Sequence, residues 1–352
     1  MDDFNKISKK TIAKETLFAL FAGLIGILLI SFLTHNWNFI SLIKSFQLSL
    51  LLISFLMMIA NWFLEAYVLE IITSMLNYKI SFRQCLSTFL IGGFFSRITP
   101  FGGGGGEPVQ VYVLSQENNV KAGDSTAIIA IKTFIGTFVR LAVFLLIPFW
   151  FALTKPTWTI SRPVNILINS GLILTSLLFL FLIIGLLNPH IIEGIAVKIM
   201  QIRFFKKIFR EDKIKKGVES LKKIVEDFKN AKNKIFQSNS KKIYYAFFWS
   251  FISWGLVLFT PVVLMRGLGI NSPWPEIVIT AVIFYISSAY IPTPGGSGTS
   301  EIEILALFAR LIPQPLIGVF VITWRLFTHY FLLLSGGLLT LRKFRKGKSK
   351  TP

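Results

Sequence analysis

Side chains for redox and metal chemistry are nearly missing from these 352 residues, which hold one cysteine, Cys85, and three histidines, His35, His190 and His329. One thiol forms neither an intrachain disulfide nor a thiolate metal site. The histidines are far apart and none stands in a ligand spacing such as His-Glu-x-x-His, so no metal and no cofactor is expected. Acidic residues are scarce as well: 17 Asp and Glu face 37 Lys and Arg, for a net charge of +20. The glycine run from Gly102 to Gly106 follows no strand and precedes no Gly-Lys-Ser/Thr, which excludes a nucleotide-phosphate loop. Without an ATP-binding motif, any transport is expected to run downhill, to be ion-coupled, or to be driven by another protein.

Apolar residues are abundant. They make up 53% of the chain, 35 of them are Phe, and the mean hydropathy is +0.65. This is the composition of a polytopic membrane protein. Lys and Arg gather at the N-terminus, between residues 198 and 242, and after Leu341, each time beside apolar stretches. With no nucleic-acid motif nearby, the clusters read as positive-inside orientation signals and no nucleic-acid partner is expected.

A helix crosses the hydrocarbon core with about 20 apolar residues, and six stretches suffice: 16–34, 45–75, 125–153, 163–187, 243–266 and 315–341. The first follows lysines as a signal peptide would, yet it exits through Thr34, His35 and Asn36 without a small-residue cleavage site, and it reads as a retained span. Two shorter stretches, 84–98 and 276–291, each end in a Pro/Gly break followed by a second short helical piece. The expected fold is therefore all-α, with about six long transmembrane helices and two broken re-entrant or discontinuous ones. If both broken elements dip in and return, every strong basic cluster falls on one side, with both termini in the cytoplasm of a cytoplasmic (inner) membrane.

The basic segment 188–242 is amphipathic. Ile214, Val218, Leu221, Val225 and Phe228 recur at spacings of four and three, with Lys215, Lys216, Lys222, Lys223 and Lys229 mostly off that stripe. It is read equally as a solvated cytoplasmic helix packed on the bundle or as an interfacial helix that attracts anionic lipid headgroups.

The stretch Arg97–Glu107 organises the rest. Irregular backbone at membrane depth survives only where protein or a water-filled cavity covers it. Thr99, Pro100, Gly102, Gly103, Gly104, Gly105, Gly106 and Glu107 align without a gap, at an offset of 194 residues, with Thr293, Pro294, Gly295, Gly296, Gly298 and Glu301. Lys132 follows Glu107 by 25 residues and Arg325 follows Glu301 by 24, each inside the next long span. The chain thus divides into a single membrane domain of two inverted repeats, 12–160 and 163–341, with the site expected near the midplane between them.

At these residues the chain resembles the transmembrane, flippase-like region of lysylphosphatidylglycerol synthases and their stand-alone relatives. The paired motifs at 99–107 and 292–301 carry the resemblance, which extends over nearly the whole chain. It implies a protein that moves a phospholipid between leaflets, an aminoacylated phosphatidylglycerol among the candidates, possessing no catalytic residues and working beside a separate lipid synthase. The full-length synthases continue into a soluble aminoacyl-transferase domain that these 352 residues do not include, so the synthetic reaction is not expected. Many family members carry a basic residue soon after the first Glu, where Gln110 stands here. The alternative is an intramembrane transferase, or an accessory protein, in lysylphosphatidylglycerol or polyprenyl-linked lipid metabolism, but no nucleophile–base pairing or metal cluster supports it.

The candidate substrate-binding residues are Glu107, Glu301, Lys132, Arg325, Arg97, Arg140, Glu65 and His329. Each glutamate at a break could simply complement a helix dipole, but ionised groups cost at least about 2.5 kcal/mol at membrane depth, and two at matched positions point to function. Ser300-x-x-Glu303 reads as a capping box, which gives Glu303 a structural role. Lys132 and Arg325 are expected to hold a lipid phosphate, or else to form ion pairs with Glu107 or Glu301. His329, one turn beyond Arg325, is read as a buried histidine before a proton relay. Glu65 is expected to line the cavity, and Arg97 to touch the headgroup or cap local carbonyls. The glycines allow close backbone approach and left-handed conformations.

Overall fold

The computed structural model describes residues 46–99, 105–145, 153, 162–201, 211–237, 240–288 and 296–347. The expected first span, 16–34, lies outside the described residues, as do Pro100, Gly102, Gly103, Gly104, Thr293, Pro294 and Gly295.

All regular elements among the described residues are helical. In chain order they are α1 (Leu48–Met75), α2 (Phe82–Ile98), α3 (Gly106–Glu117), α4 (Ala122–Phe144), α5 (Arg162–Leu187), α6 (Pro189–Gln201), α7 (Glu211–Gln237), α8 (Ser240–Gly267), α9 (Trp274–Ser287), α10 (Thr299–Phe308), α11 (Gln314–Arg325), a π turn (Leu326–Tyr330) and α12 (Phe331–Gly347). Five spans are long and apolar enough to cross a membrane: Leu48–Met75, Ala122–Phe144, Ile168–Leu187, Lys241–Gly267 and Gln314–Lys343. They coincide with the five expected spans that the described residues cover. Around the two shorter stretches, α2 ends at Ile98 and α3 begins at Gly106, and α9 ends at Ser287 and α10 begins at Thr299.

Local chemistry places the helix ends. Ser81 starts α2, with its N–H donating to Gln84 Oε1 at 2.9 Å in a capping box. Asn77 turns the chain after α1 at φ 62°, a left-handed conformation that Asn tolerates. The Tyr78 hydroxyl then donates to Asp124 Oδ2 at 2.5 Å and ties that turn to the start of α4. Burial and the Asp124 carboxylate raise the Tyr78 phenol above its ordinary value, so this donor stays protonated at neutral pH. Prolines sit in the first turns of α9 and α11, where their missing N–H costs nothing. Pro261 stands inside α8, so the Val257 carbonyl four residues earlier receives no helical bond from it.

Helix starts repeat along the chain. Those at 48, 82, 106 and 122 are answered by 240, 274, 299 and 314, a spacing of 192 or 193 residues each time. The offset of the two motifs is thus close to the spacing of four pairs of helix starts. The corresponding helices α1 and α8 pack along each other, and corresponding residues meet: Asn61 Nδ2 donates to Ser253 Oγ at 2.7 Å.

Two packed cores flank that contact. One joins α8 to α11 around Phe284, Phe308, Phe320 and Trp324, whose rings meet at centroid distances of 5.1 to 5.5 Å. The other joins α1, α3, α4 and α7 around Leu69, Ile72, Leu114 and Ile128. Between helices in lipid, such close packing supplies the association that the hydrophobic effect gives in water. Leu48, Leu56, Ile173 and Leu177 project outward, as lipid-facing residues should. The stripe of α7 is buried at Val225 and Phe228 and continues through Ala231 and Ile235, packing on α4, while Lys222 and Lys223 are exposed. That is the arrangement of a helix docked on the bundle with a basic outer face.

One glycine is dictated by packing. A Cβ at Gly106 would lie 2.0 Å from Ser96 Oγ and 2.8 Å from the Gly92 carbonyl oxygen, because α3 folds back against α2 there. Gly106→Ala is expected to cost about 1–3 kcal/mol by overpacking. Cys85 is free and fully buried, so a thiol-reactive fluorophore reports unfolding, and the variant's labelling midpoint should fall below wild type.

Candidate functional site

The helices form a cavity of about 410 Å³. Its walls come from α1, α2, α3, α4, α8, α9, α10, α11, the π turn and the start of α12. Arg97, Lys132, Arg140 and Arg325 line it, opposed by the two lining carboxylates Glu65 and Glu107, and His329 and Gly296 also face it. Trp62, Phe89, Trp254, Phe284 and Tyr285 supply an apolar, aromatic surface beside these charges. A polar end next to an apolar wall suits an amphiphile, and the volume lies in the ordinary range for small-ligand sites.

Two of the cations are neutralised locally. Lys132 Nζ lies 2.9 Å from Glu65 Oε2, and Glu65 Oε1 accepts from Ser253 Oγ at 3.0 Å. Arg325 Nε donates to Glu301 Oε1 at 2.8 Å, and the Tyr330 hydroxyl donates to the same oxygen at 3.0 Å. The ion-pair alternative thus holds for both cations, although the carboxylate for Lys132 is Glu65 rather than Glu107 or Glu301. Lysine at 132 also sits 5.5 Å from the Phe89 ring centroid, and the Arg140 guanidinium 5.2 Å from that of Trp254. Removing the Glu65 carboxylate by Glu65→Ala leaves Lys132 facing the cavity without its counter-charge. A loss of about 3 kcal/mol is expected, the low end for a buried pair because both groups are partly exposed, and the Cys85 labelling midpoint measures it.

Arg97 differs. From the last turn of α2 its Nη1 donates to the Gly93 carbonyl at 3.1 Å and its Nη2 to the Thr328 carbonyl at 2.9 Å, in the π turn. Its Nε is buried without a hydrogen-bond partner, and among the described residues no carboxylate lies within ion-pair distance of it. A guanidinium fork held open by carbonyls, with its charge unmatched, is built for an anion.

The two motif glutamates are not equivalent. Glu107 is the second residue of α3 and lines the cavity, whereas Glu301 is the third residue of α10, 1% exposed, and does not line it. One residue of register turns a helical side chain by about 100°. Ser300, second in α10, takes the cavity-facing place of Glu107. Glu301 instead reaches back, its Oε2 accepting from the Gly298 N–H at 2.7 Å. The capping contact expected of Glu303 is therefore made by Glu301, because α10 starts at Thr299 and Glu301 is its third residue. Gly298 enters the helix at φ 85° and Gly296 precedes it at φ 70°, conformations that L side chains resist.

The remaining expected residues are placed as follows. Thr99 caps α2, its hydroxyl bonded to the Phe95 carbonyl at 2.9 Å, and Gly105 precedes α3. His329 is buried, with Nε2 3.5 Å from Ser297 Oγ and its ring edge-on to Tyr330. Sequence reasoning did not anticipate Tyr330, Thr328 or Ser253. All are uncharged residues inside apolar spans, and the π turn that aims Tyr330 and the Thr328 carbonyl departs from the 3.6-residue period. Ser253 had one available signal, its 192-residue spacing from Asn61.

Helical spans and a cavity lined by charged residues define an integral membrane protein. Residues 19–336 match the lysylphosphatidylglycerol synthase TM region family, and the chain belongs to it. It is 27% identical to a UPF0104 membrane protein of Archaeoglobus fulgidus over 85% of this chain and 88% of that one. It is 24% identical to the UPF0104 membrane protein PH1989 of Pyrococcus horikoshii over 76% and 78% of the two chains. No solved structure is a significant match.

Proposed function

We propose that this protein moves a phospholipid between the leaflets, holding its phosphate in the cavity between the repeats while the acyl chains remain in lipid. The observation that carries this reading is the Arg97 fork, which has carbonyl partners, no carboxylate within ion-pair distance among the described residues, and a buried unused N–H at the cavity wall. A phosphate diester is the anion such a fork takes with two parallel bonds. Glu107, the lining carboxylate opposite in sign, suits an amino group on the headgroup, as an aminoacylated phosphatidylglycerol would present.

The matching helix starts support a division into two halves; in this reading the halves have opposite orientation, α2–α3 and α9–α10 enter from the two faces of the membrane, and rocking of one half exposes the cavity to each leaflet. The exposed lysines of α7 would rest on anionic headgroups at the cytoplasmic surface, worth about 1 kcal/mol each. Reconstitution with fluorescent phosphatidylglycerol, bleached from outside by an impermeant reductant, tests the reading. Label that remains protected to the same extent as in protein-free liposomes would overturn it.

A further inference from the structure

Glu303 lies one side chain behind the cavity wall. It is 9% exposed on α10, one turn after the wall residue Ser300, and its Oε1 meets the hydroxyl of Ser287, the last residue of α9 and the neighbour of the wall residue Ser288. Its Oε2 has no hydrogen-bond partner among the described residues.

The hydrogens at this contact can be counted. Ser287 Oγ is within bonding distance of the Ile283 carbonyl at 2.7 Å, the Phe284 carbonyl at 3.2 Å and Glu303 Oε1. A serine hydroxyl donates one hydrogen, and all three neighbours are acceptors if Glu303 is ionised. A proton on Glu303 resolves the shortage: the carboxyl donates to Ser287 Oγ, and the Ser287 hydrogen goes to the Ile283 carbonyl. Two hydrogens then serve the contacts to Glu303 and to the Ile283 carbonyl, and the longer contact to the Phe284 carbonyl shares the second.

The surrounding charges leave that proton in place. From α11, Arg325 is the nearby cation, and its Nε is held by Glu301 together with Tyr330. From the far end of α10, Arg310 is held by Glu276 of α9 at 3.1 Å and by Thr280 at 2.7 Å. Tyr285 of α9 and His329 of the π turn face the cavity rather than offering a charge to Glu303. An ionised Glu303 would be a buried carboxylate with one hydroxyl as its hydrogen-bond partner and a nearby Arg325 already engaged by Glu301, which is costly.

We propose that Glu303 is a proton-binding site that couples lipid movement to the proton gradient, holding its proton while it contacts Ser287 and releasing it when that contact opens. This rests on the transport reading above and identifies its driving ion.

The test has two arms in proteoliposomes. Infrared difference spectra between neutral and alkaline pH should contain the carbonyl stretch of a protonated carboxyl that disappears in Glu303→Gln, and Ser287→Ala should shift the pH at which it appears. In the second arm, a pH difference of one unit across wild-type vesicles should speed translocation of fluorescent phosphatidylglycerol up to about tenfold, the change in proton activity. Glu303→Gln should move lipid at one rate with and without the gradient. Absence of the Glu303 band overturns the proposal whether or not lipid moves. So does a band without any gradient response, or a response to a sodium gradient at constant pH in its place. A band with no lipid movement at any pH overturns the transport reading, and the coupling with it.

Discussion

Replacing Arg97 with Gln is expected to slow lipid translocation by about 10- to 100-fold while the protein still folds. Charge-assisted hydrogen bonds contribute about 1.5–3 kcal/mol each, and about 1.4 kcal/mol is a factor of ten. Loss of the bond or bonds from Arg97 to a phosphate therefore falls in that range. The substitution also removes the donor to the Thr328 carbonyl, which couples α2 to the π turn. That effect is separable. Gln retains a donor at this end of the side chain, and the Cys85 labelling midpoint reports how much stability is lost. Arg97→Lys keeps the charge and loses the fork, so it should recover only part of the rate. A bleaching rate unchanged in both variants would remove Arg97 from the site and leave the cavity without its unmatched charge.

The spans were legible because bilayer thickness imposes a length and a composition that few other structures share. The helix breaks were legible too, since Pro and Gly at membrane depth have few uses. Register was not. Thr99 and Glu107 align with Thr293 and Glu301 by letter, yet α3 and α10 begin one residue apart against that alignment, so one carboxylate faces the cavity and the other turns away. The sequence offered Lys132 a lipid phosphate or, as the alternative, a pair with one of the motif glutamates, whereas the structure pairs it with Glu65 of α1, a contact set by how the helices pack. Glu303 looked like the capping residue because Ser300 stands three before it. The start of α10 decides that question, and it follows from the positive φ of Gly298. Charged residues in spans thus announced the cavity, while their partners depended on helix packing and on a π turn that no periodicity encodes.

Glu301→Ala is expected to destabilise the protein by about 3–5 kcal/mol, the cost of leaving one member of a buried ion pair alone. The side chains of Arg325 and Glu301 are 8% and 1% exposed, so little water is available to replace the lost partner. The glutamate accepts three bonds, from Arg325, Tyr330 and the Gly298 N–H, and thereby joins α11, the π turn and the start of α10. Glu301→Gln keeps an acceptor for these donors but loses the charge, and it should cost less than Ala. The double replacement Glu301→Leu with Arg325→Met removes the stranded cation. It should regain part of the loss and no more, because Tyr330 and Gly298 still lack their acceptor, at about 1–3 kcal/mol for each buried group left unpaired. Cys85 labelling midpoints measured for the single and double variants form the cycle. A Glu301→Ala midpoint equal to wild type would show that this knot does not hold the second break. A stable double variant that no longer moves lipid would assign Arg325, which lines the cavity, a part in headgroup contact beyond its structural pairing.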